Sequence, residues 1–290
     1  MTEIAIHRRE PARRMGFFTD TTVCIGCKAC EIACKQWNDL PADGPAITGG
    51  RSYDYTGALS AATWRHVHFV ELPNIPAARP HEHQEVDLVE WADGGNRWVF
   101  MSDVCKHCTN AGCLDACPTG ALIRTEFQTV VVQPDICNGC GYCVPACPFG
   151  VIDRDPYDGR AAKCTLCYDR LQDGLEPACA KTCPTDSIQF GPWDELAERA
   201  RDRVAELHER GVERAYLYGL DDEPADQLAG NLGSIFLLTE PPERFGLPAR
   251  ADSPIQQHVV RATAAGLGAA FTAVGAAIGA MLLAHRGRRR

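Results

Sequence analysis

The sequence predicts an α+β fold in which one cysteine-bearing unit is duplicated, interrupted by insertions and followed by a single long apolar helix. Three observations predict it. Sixteen cysteines fall into four groups of four, each opening with C-x2-C and closing with C-x3-C, and an internal repeat of that kind outranks any local reading. Short runs rich in β-branched and aromatic residues lie between and after the groups, as strands do. Ala262–Ala284 carries no charge and no proline, and at 1.5 Å rise per residue it reaches about 34 Å, enough for a bilayer core.

Taken in order, residues 1–16 read as a basic tail, with arginine pairs at Arg8–Arg9 and Arg13–Arg14. A signal peptide needs an apolar run after such charges. Thr19, Asp20, Thr21 and Thr22 lead instead straight to the first cysteine, so no export signal is expected. Residues 17–192 form the cysteine-rich domain, with an insertion at 38–104. Pro41, Gly44, Pro45, Gly49 and Gly50 mark a loop in that insertion, and His66–Leu72 and Arg97–Met101 read as strands. A further strand is expected at Thr129–Val132. Residues 193–257 form a C-terminal extension. Within it Leu196, Ala200, Val204 and Leu207 repeat at helical spacing over Trp193–Arg210, and Gly211 supplies a stop. Tyr216–Leu220 and Ile235–Thr239 read as strands, and Pro241–Pro254 as an extended linker.

Residues 258–290 read as a single transmembrane helix with a basic tail. Gly275 and Gly279 form a G-x-x-x-G pair, which lets a neighbouring helix approach closely in lipid. Arg286, Arg288, Arg289 and Arg290 follow, and positive flanks stay on the cytoplasmic side. The expected orientation puts the C-terminus in the cytoplasm of a bacterial cell and the cysteine-rich domain outside.

The composition narrows the chemistry. The chain has 290 residues, 45% of them hydrophobic, and a formal net charge of −9. That length buries a core without staples, and the acidic balance argues against a nucleic-acid partner. Sixteen cysteines are open to disulfides, zinc or iron–sulfur clusters. Disulfide-dense chains are small and secreted, whereas here the cysteines are clustered in a longer chain. Zinc ribbons space two C-x2-C pairs widely, which differs from three close cysteines followed by C-x3-C.

The groups are Cys24, Cys27, Cys30 and Cys34; Cys105, Cys108, Cys113 and Cys117; Cys137, Cys140, Cys143 and Cys147; and Cys164, Cys167, Cys179 and Cys183. A tight loop of three cysteines holds one face of a cubane, and the fourth thiolate must come from elsewhere. In two-cluster ferredoxins the last cysteine of C-x2-C-x2-C-x3-C-P ligates the other cluster. The third group is that run, ending Cys147–Pro148. The second widens one gap to four residues, the fourth widens one to eleven, and the first carries Lys35 where the proline stands. The exchange rule predicts four 4Fe–4S clusters in duplicated bacterial ferredoxin-like domains. Paired groups two and three give Cys105, Cys108, Cys113 with Cys147, and Cys137, Cys140, Cys143 with Cys117. Paired groups one and four, from spacing alone, give Cys24, Cys27, Cys30 with Cys183, and Cys164, Cys167, Cys179 with Cys34.

Among the neighbours, His107 is expected to pack or to donate to sulfur, because each group already has four cysteines. Lys28, Lys106 and Lys163 sit beside ligands, as cluster-tuning charges or as solvated lysines. Trp37, Tyr142 and Phe149 are candidates for excluding water. There is no nucleophile elbow, P-loop or dinucleotide fingerprint, so no catalytic residue is assigned and the clusters are expected to relay electrons.

The stretches CIGCKACEIACKQWNDLP, CKHCTNAGCLDACPTGAL, DICNGCGYCVPACPFGV and KCTLCYDRLQDGLEPACAKTCPTDSIQFG resemble the iron–sulfur β subunit of respiratory, membrane-associated formate dehydrogenases, from about Phe17 to Leu247. The resemblance implies an electron-transfer subunit inside an oxidoreductase complex. It implies as partners a molybdopterin catalytic α subunit, carrying molybdenum or tungsten, and a cytochrome b γ subunit in the membrane that passes electrons to quinone. It also implies the same nested ligand sets, and export of the domain alongside the α subunit. Similar subunits serve other molybdopterin reductases and some hydrogenases, and a soluble electron carrier is the alternative of a different class.

Overall fold

The computed structural model describes residues 13–42, 54, 56–72, 97–220 and 229–287. In chain order these give β1 (Met15–Asp20), α1 (Ala29–Trp37), β2 (Arg65–Leu72), β3 (Arg97–Val104), α2 (Gly112–Asp115), β4 (Leu122–Arg124) and β5 (Val130–Val132). There follow β6 (Asp153–Arg154), β7 (Ala161–Ala162), α3 (Tyr168–Gln172), α4 (Ala178–Lys181), β8 (Ile188–Pro192) and α5 (Trp193–Glu209). Then come β9 (Tyr216–Tyr218), β10 (Ser234–Leu238), a 3-10 turn (Pro242–Phe245) and α6 (Pro254–Gly287).

A four-stranded sheet in the order β8-β1-β10-β9 divides the molecule. β1 runs parallel to β10, with Phe17 opposite Ser234, and antiparallel to β8. Side chains alternate faces along a strand, and both faces here are covered, so β10 reads as an unbroken apolar run. Phe18, Ile235 and Leu237 pack with Leu196, Ala197, Ala200 and Leu207 of α5. Phe17, Phe236 and Leu238 point the other way, into the core that also holds Cys30, Cys105, Cys164 and Cys179. One face of the sheet is therefore a helix-packing surface and the other backs the cysteines.

α5 forms where expected and stops at Gly211, whose φ is +84°. Asp194 and Glu195 stand in its first turn, where negative charge suits the helix dipole, and Arg13 bonds both. Arg203 reaches from α5 to Asp20 at 2.9 Å and so ties the helix to the strand leading into the first cysteine group. The insertion contributes the antiparallel pair β2–β3, from Arg65 opposite Val104 to Leu72 opposite Arg97. Most of its expected loop, and both Arg8–Arg9 and Arg288–Arg290, lie outside the described residues.

Two expectations change. β1 begins at Met15, inside the expected tail, and β9 and β10 complete its sheet; the segment after residue 193 is thus part of the same core rather than an appended extension. Pro241–Pro254 is not an extended linker. Pro241 and Pro242 start a 3-10 turn closed by Gly246 in the left-handed region, and Phe245, Leu247, Ala251 and Ser253 are buried. Apolar anchors at Phe245 and Leu247 outweigh the proline content. α6 then runs from Pro254, longer than the expected span, and its stretch Arg261–Met281 is apolar and exposed.

Candidate metal centres

The cysteines gather into four sites. Cys24, Cys27, Cys30 and Cys183 line one cleft (site A), Cys105, Cys108, Cys113 and Cys147 a second (site C), and Cys117, Cys137, Cys140 and Cys143 a third (site D). Counted out to solvent these enclose about 310, 350 and 300 Å³, close to equal. Cys34 lies under the influence of Cys164, Cys179 and Cys167, and these four make site B. Three of the sets written from the exchange rule thus line one cleft each, and the four cysteines of site B are all buried. Successive sites lie within electrostatic reach of one another: Cys179 acts on Cys30, Cys105 on Cys164, and Cys143 on Cys113.

Local backbone explains the tripods. In the opening C-x2-C of each group the residue before the second cysteine is left-handed: Gly26 at φ +65°, His107 at +42°, Gly139 at +73° and Leu166 at +59°. Such a turn points successive N–H groups into one concavity, an arrangement that binds anions and occurs at iron–sulfur sites. Leu166 N–H donates to Cys164 Sγ at 3.3 Å, and Ala161 N–H to Cys137 Sγ at 3.4 Å. Glycine takes this conformation without strain, while His107 and Leu166 are held in it at about 1–3 kcal/mol each. At Gly26 a Cβ would meet the Phe100 ring at 2.7 Å, so that position needs glycine on two grounds.

The closing cysteines are supported in turn. Cys117 and Cys183 both head a Cys-Pro-Thr run, with Thr119 Oγ1 3.6 Å from Cys117 Sγ and Thr185 Oγ1 3.9 Å from Cys183 Sγ. Where the proline is missing, Asn38 Nδ2 lies 3.6 Å from Cys34 Sγ. Burial pushes the Cys30, Cys113 and Cys164 thiols up to about 12 and Cys34 higher still, with neighbouring sulfurs adding to the effect in each. Cys117 goes the other way: although burial raises it, N–H groups led by Leu122 hold it below the usual thiol range. Thiolates crowded at this depth are stable only beside compensating positive charge, and a coordinated metal deprotonates a thiol outright. Four soft sulfur donors around each cleft, with N–H groups aimed inward, fit an iron–sulfur cluster.

His107 lines site C but is not needed as a ligand. Its Nδ1 accepts the Val130 N–H at 3.1 Å, which puts the ring proton on Nε2, and burial followed by Lys163 and Arg124 holds the imidazole well below its usual range. Nε2 is buried with no hydrogen-bond partner among the described residues, leaving a donor available to sulfur. Lys106 and Lys163 are buried, not solvated, while Lys28 pairs with Glu31 at 3.1 Å. Lys106 is ion-paired with Asp103 and lies 5.1 Å from the Phe149 ring at the edge of site C. Trp37 and Tyr142 are exposed; Trp37 donates to Asp169 and stacks under Arg170 at 4.2 Å. Neither ring seals a site.

Sequence reasoning missed Arg65 and Ser102. Arg65 opens a strand with no cysteine nearby in the chain, and only folding carries it between sites A and B. Asp54, His66 and His68 also converge within 4.8 Å. His66 is engaged at both nitrogens, by Thr56 Oγ1 at 2.5 Å and Asp54 Oδ2 at 3.1 Å, so this trio reads as a hydrogen-bonded cluster.

Two family models, each described as a 4Fe-4S dicluster domain, match residues 23–121 and 96–193. A subunit of the anaerobic dimethyl sulfoxide reductase of Escherichia coli is 35% identical over 190 residues, covering 66% of this chain and 79% of that one. This protein belongs to the 4Fe-4S dicluster family of iron–sulfur subunits. The formate dehydrogenase iron-sulfur subunit of Haemophilus influenzae is 44% identical over 200 residues, covering 69% of this chain and 58% of that one. The formate dehydrogenase-O iron-sulfur subunit of Escherichia coli is 42% identical over 203 residues, with 69% and 60% covered. The chain thus spans about three-fifths of these formate dehydrogenase relatives. Membership makes it a carrier of 4Fe–4S clusters in tandem ferredoxin-type domains.

Proposed function

We propose that this chain is the electron-transfer subunit of a formate dehydrogenase, relaying electrons through four 4Fe–4S clusters held by sites A to D. The observation that carries the reading is the gathering of cysteines from different sequence groups at common clefts, in a chain 44% identical over 200 residues to a formate dehydrogenase iron-sulfur subunit. Each bound cluster supplies a one-electron carrier. The protein's own part is to space the carriers, to exclude water at site B, whose four cysteines are all buried, and to leave edges for exchange at A and D, where Cys27 and Cys140 are exposed.

The ligand sets are Cys24, Cys27, Cys30, Cys183 at A; Cys34, Cys164, Cys167, Cys179 at B; Cys105, Cys108, Cys113, Cys147 at C; and Cys117, Cys137, Cys140, Cys143 at D. Cys183→Ala and Cys24→Ala then lose the same paramagnetic signal, although these residues belong to different sequence groups. Loss of one signal by Cys183→Ala and Cys164→Ala together would reject the exchange. The implied partners are a molybdopterin catalytic subunit and a membrane cytochrome b. α6 crosses the membrane once, with the C-terminus cytoplasmic and the clusters outside. What supports the span is its exposed apolar stretch, and what supports the orientation is the run of arginines that follows it. Removing residues 254–290 should release the chain without detergent, and protease should reach the cluster domain only from the outer face.

A second reading keeps the relay but changes the enzyme, and the 79% coverage of a dimethyl sulfoxide reductase subunit favours it. Anaerobic purification with the native catalytic subunit decides between them. Formate should reduce the clusters in the intact complex; reduction only by another donor would leave the second reading.

A further inference from the structure

Two buried cations sit where successive sites meet. Arg65 is 1% exposed, and its Nη1 donates to Ser102 Oγ at 2.9 Å. That leaves the serine proton for Cys30 Sγ, 3.2 Å away, at the wall of site A. The sulfurs within electrostatic reach of Arg65 are those of Cys179, Cys30, Cys164 and Cys34, one of A and three of B. Its Nε and Nη2 are buried with no hydrogen-bond partner among the described residues. Lys163, also 1% exposed, lines site C and donates to the Cys164 carbonyl at 2.9 Å and to that of Val130. The sulfurs acting on it are Cys105 and Cys113 of C and Cys164 of B.

Neither cation has a carboxylate partner among the described residues, in contrast to Lys106 with Asp103. A buried, unpaired charge is strongly unfavourable unless something neutralises it. Iron–sulfur clusters ligated by thiolates carry net negative charge, and reduction adds one more. Nearby charge and N–H donors to sulfur are the protein's means of setting cluster potentials. We propose that Arg65 and Lys163 are shared countercharges, Arg65 for clusters A and B and Lys163 for B and C, each raising the reduction potentials of its two neighbours together. This rests on the four-cluster reading above. Cluster B alone lies beside both cations, and cluster D beside neither.

The test is a potentiometric titration of the anaerobically purified complex, followed by paramagnetic resonance, with Arg65→Met, Arg65→Lys and Lys163→Met. Each neutral variant should lower the midpoints of two signals, with one signal common to both and one moved by neither. Arg65→Lys should stay near the wild type. Four signals moving together, no common signal, or unchanged midpoints would overturn the proposal. If Arg65→Met loads poorly, Arg65→Lys decides: full loading at wild-type midpoints supports a charge role, and loss of the same clusters overturns it. Iron and sulfide analysis of the wild type is a separate readout, since a content short of four cubanes defeats the four-cluster reading itself.

Discussion

Replacing Gly26 with alanine tests the site geometry most directly, because two separate penalties meet at one atom. The residue has φ +65°, and a left-handed L-residue costs about 1–2 kcal/mol. The added Cβ would stand 2.7 Å from Phe100 Cδ1 and 2.9 Å from Cε1. That ring is wedged edge-on against Phe69 at 4.9 Å and beside Trp98 at 6.2 Å, so it gives way only by disturbing both. Overpacking of this kind costs about 1–3 kcal/mol, and the two penalties together come to about 2–5 kcal/mol. Phe100→Leu removes the colliding ring edge but leaves the backbone strain. A double-mutant cycle should therefore return about 1–3 kcal/mol of favourable coupling and no more. Anaerobic urea titrations, followed by cluster absorbance and circular dichroism, measure it alongside iron content. Gly26→Ala with a wild-type midpoint and full iron, or a double variant no better than the sum of the singles, would refute the reasoning.

Gly139→Ala should be at least as damaging at site D and resist rescue, because its Cβ would meet the backbone oxygen of Gly159 at 2.7 Å; iron content and the number of paramagnetic signals check this. Phe18→Ala, on the sheet face away from the sites, should destabilise by about 3–5 kcal/mol while leaving the cluster spectra of the folded protein unchanged. Arg203→Ala strips a 2.9 Å charged partner from Asp20, which is 3% exposed, and should cost about 1–3 kcal/mol, read as a lower urea midpoint.

What the sequence made legible was whatever repeats or alternates. C-x2-C and C-x3-C spacing is local, so four candidate ligand sets can be written down from it, and three of them line common clefts. Helix α5 and strands β2, β3 and β10 were visible because one or both faces must be apolar. The segment after Pro241 was misread because proline content signals an extended chain, whereas burial of Phe245 and Leu247 is a tertiary effect. Arg65 was illegible for a related reason. An arginine at the start of a strand is ordinarily a solvated residue, and only the packing of β2 against α1 makes it a buried charge. Lys163 could be suspected from its neighbour Cys164, but its burial and its lack of an acidic partner among the described residues belong to the fold.

The C-x3-C spacing has a mechanical meaning beyond ligand count. Residues four apart on a helix share a face, displaced along it by about 6 Å. In α1 Cys30 belongs to site A and Cys34 to site B, so one helical turn separates the two sites by a fixed rise. α2 and α4 repeat the device, presenting Cys113 and Cys179 just before their closing cysteines, which serve the adjacent site. Between sites A and B the interval is thus set by helix geometry and not by loop length, whereas Cys143 and Cys147 are joined by turns. The exchange also means that no site is completed by one segment. Site A joins β1's following loop to the end of α4, which leads into β8, the strand paired directly with β1. Ligand binding in such an arrangement contributes its free energy to the folding of the whole core, so cluster content and tertiary structure should rise and fall together.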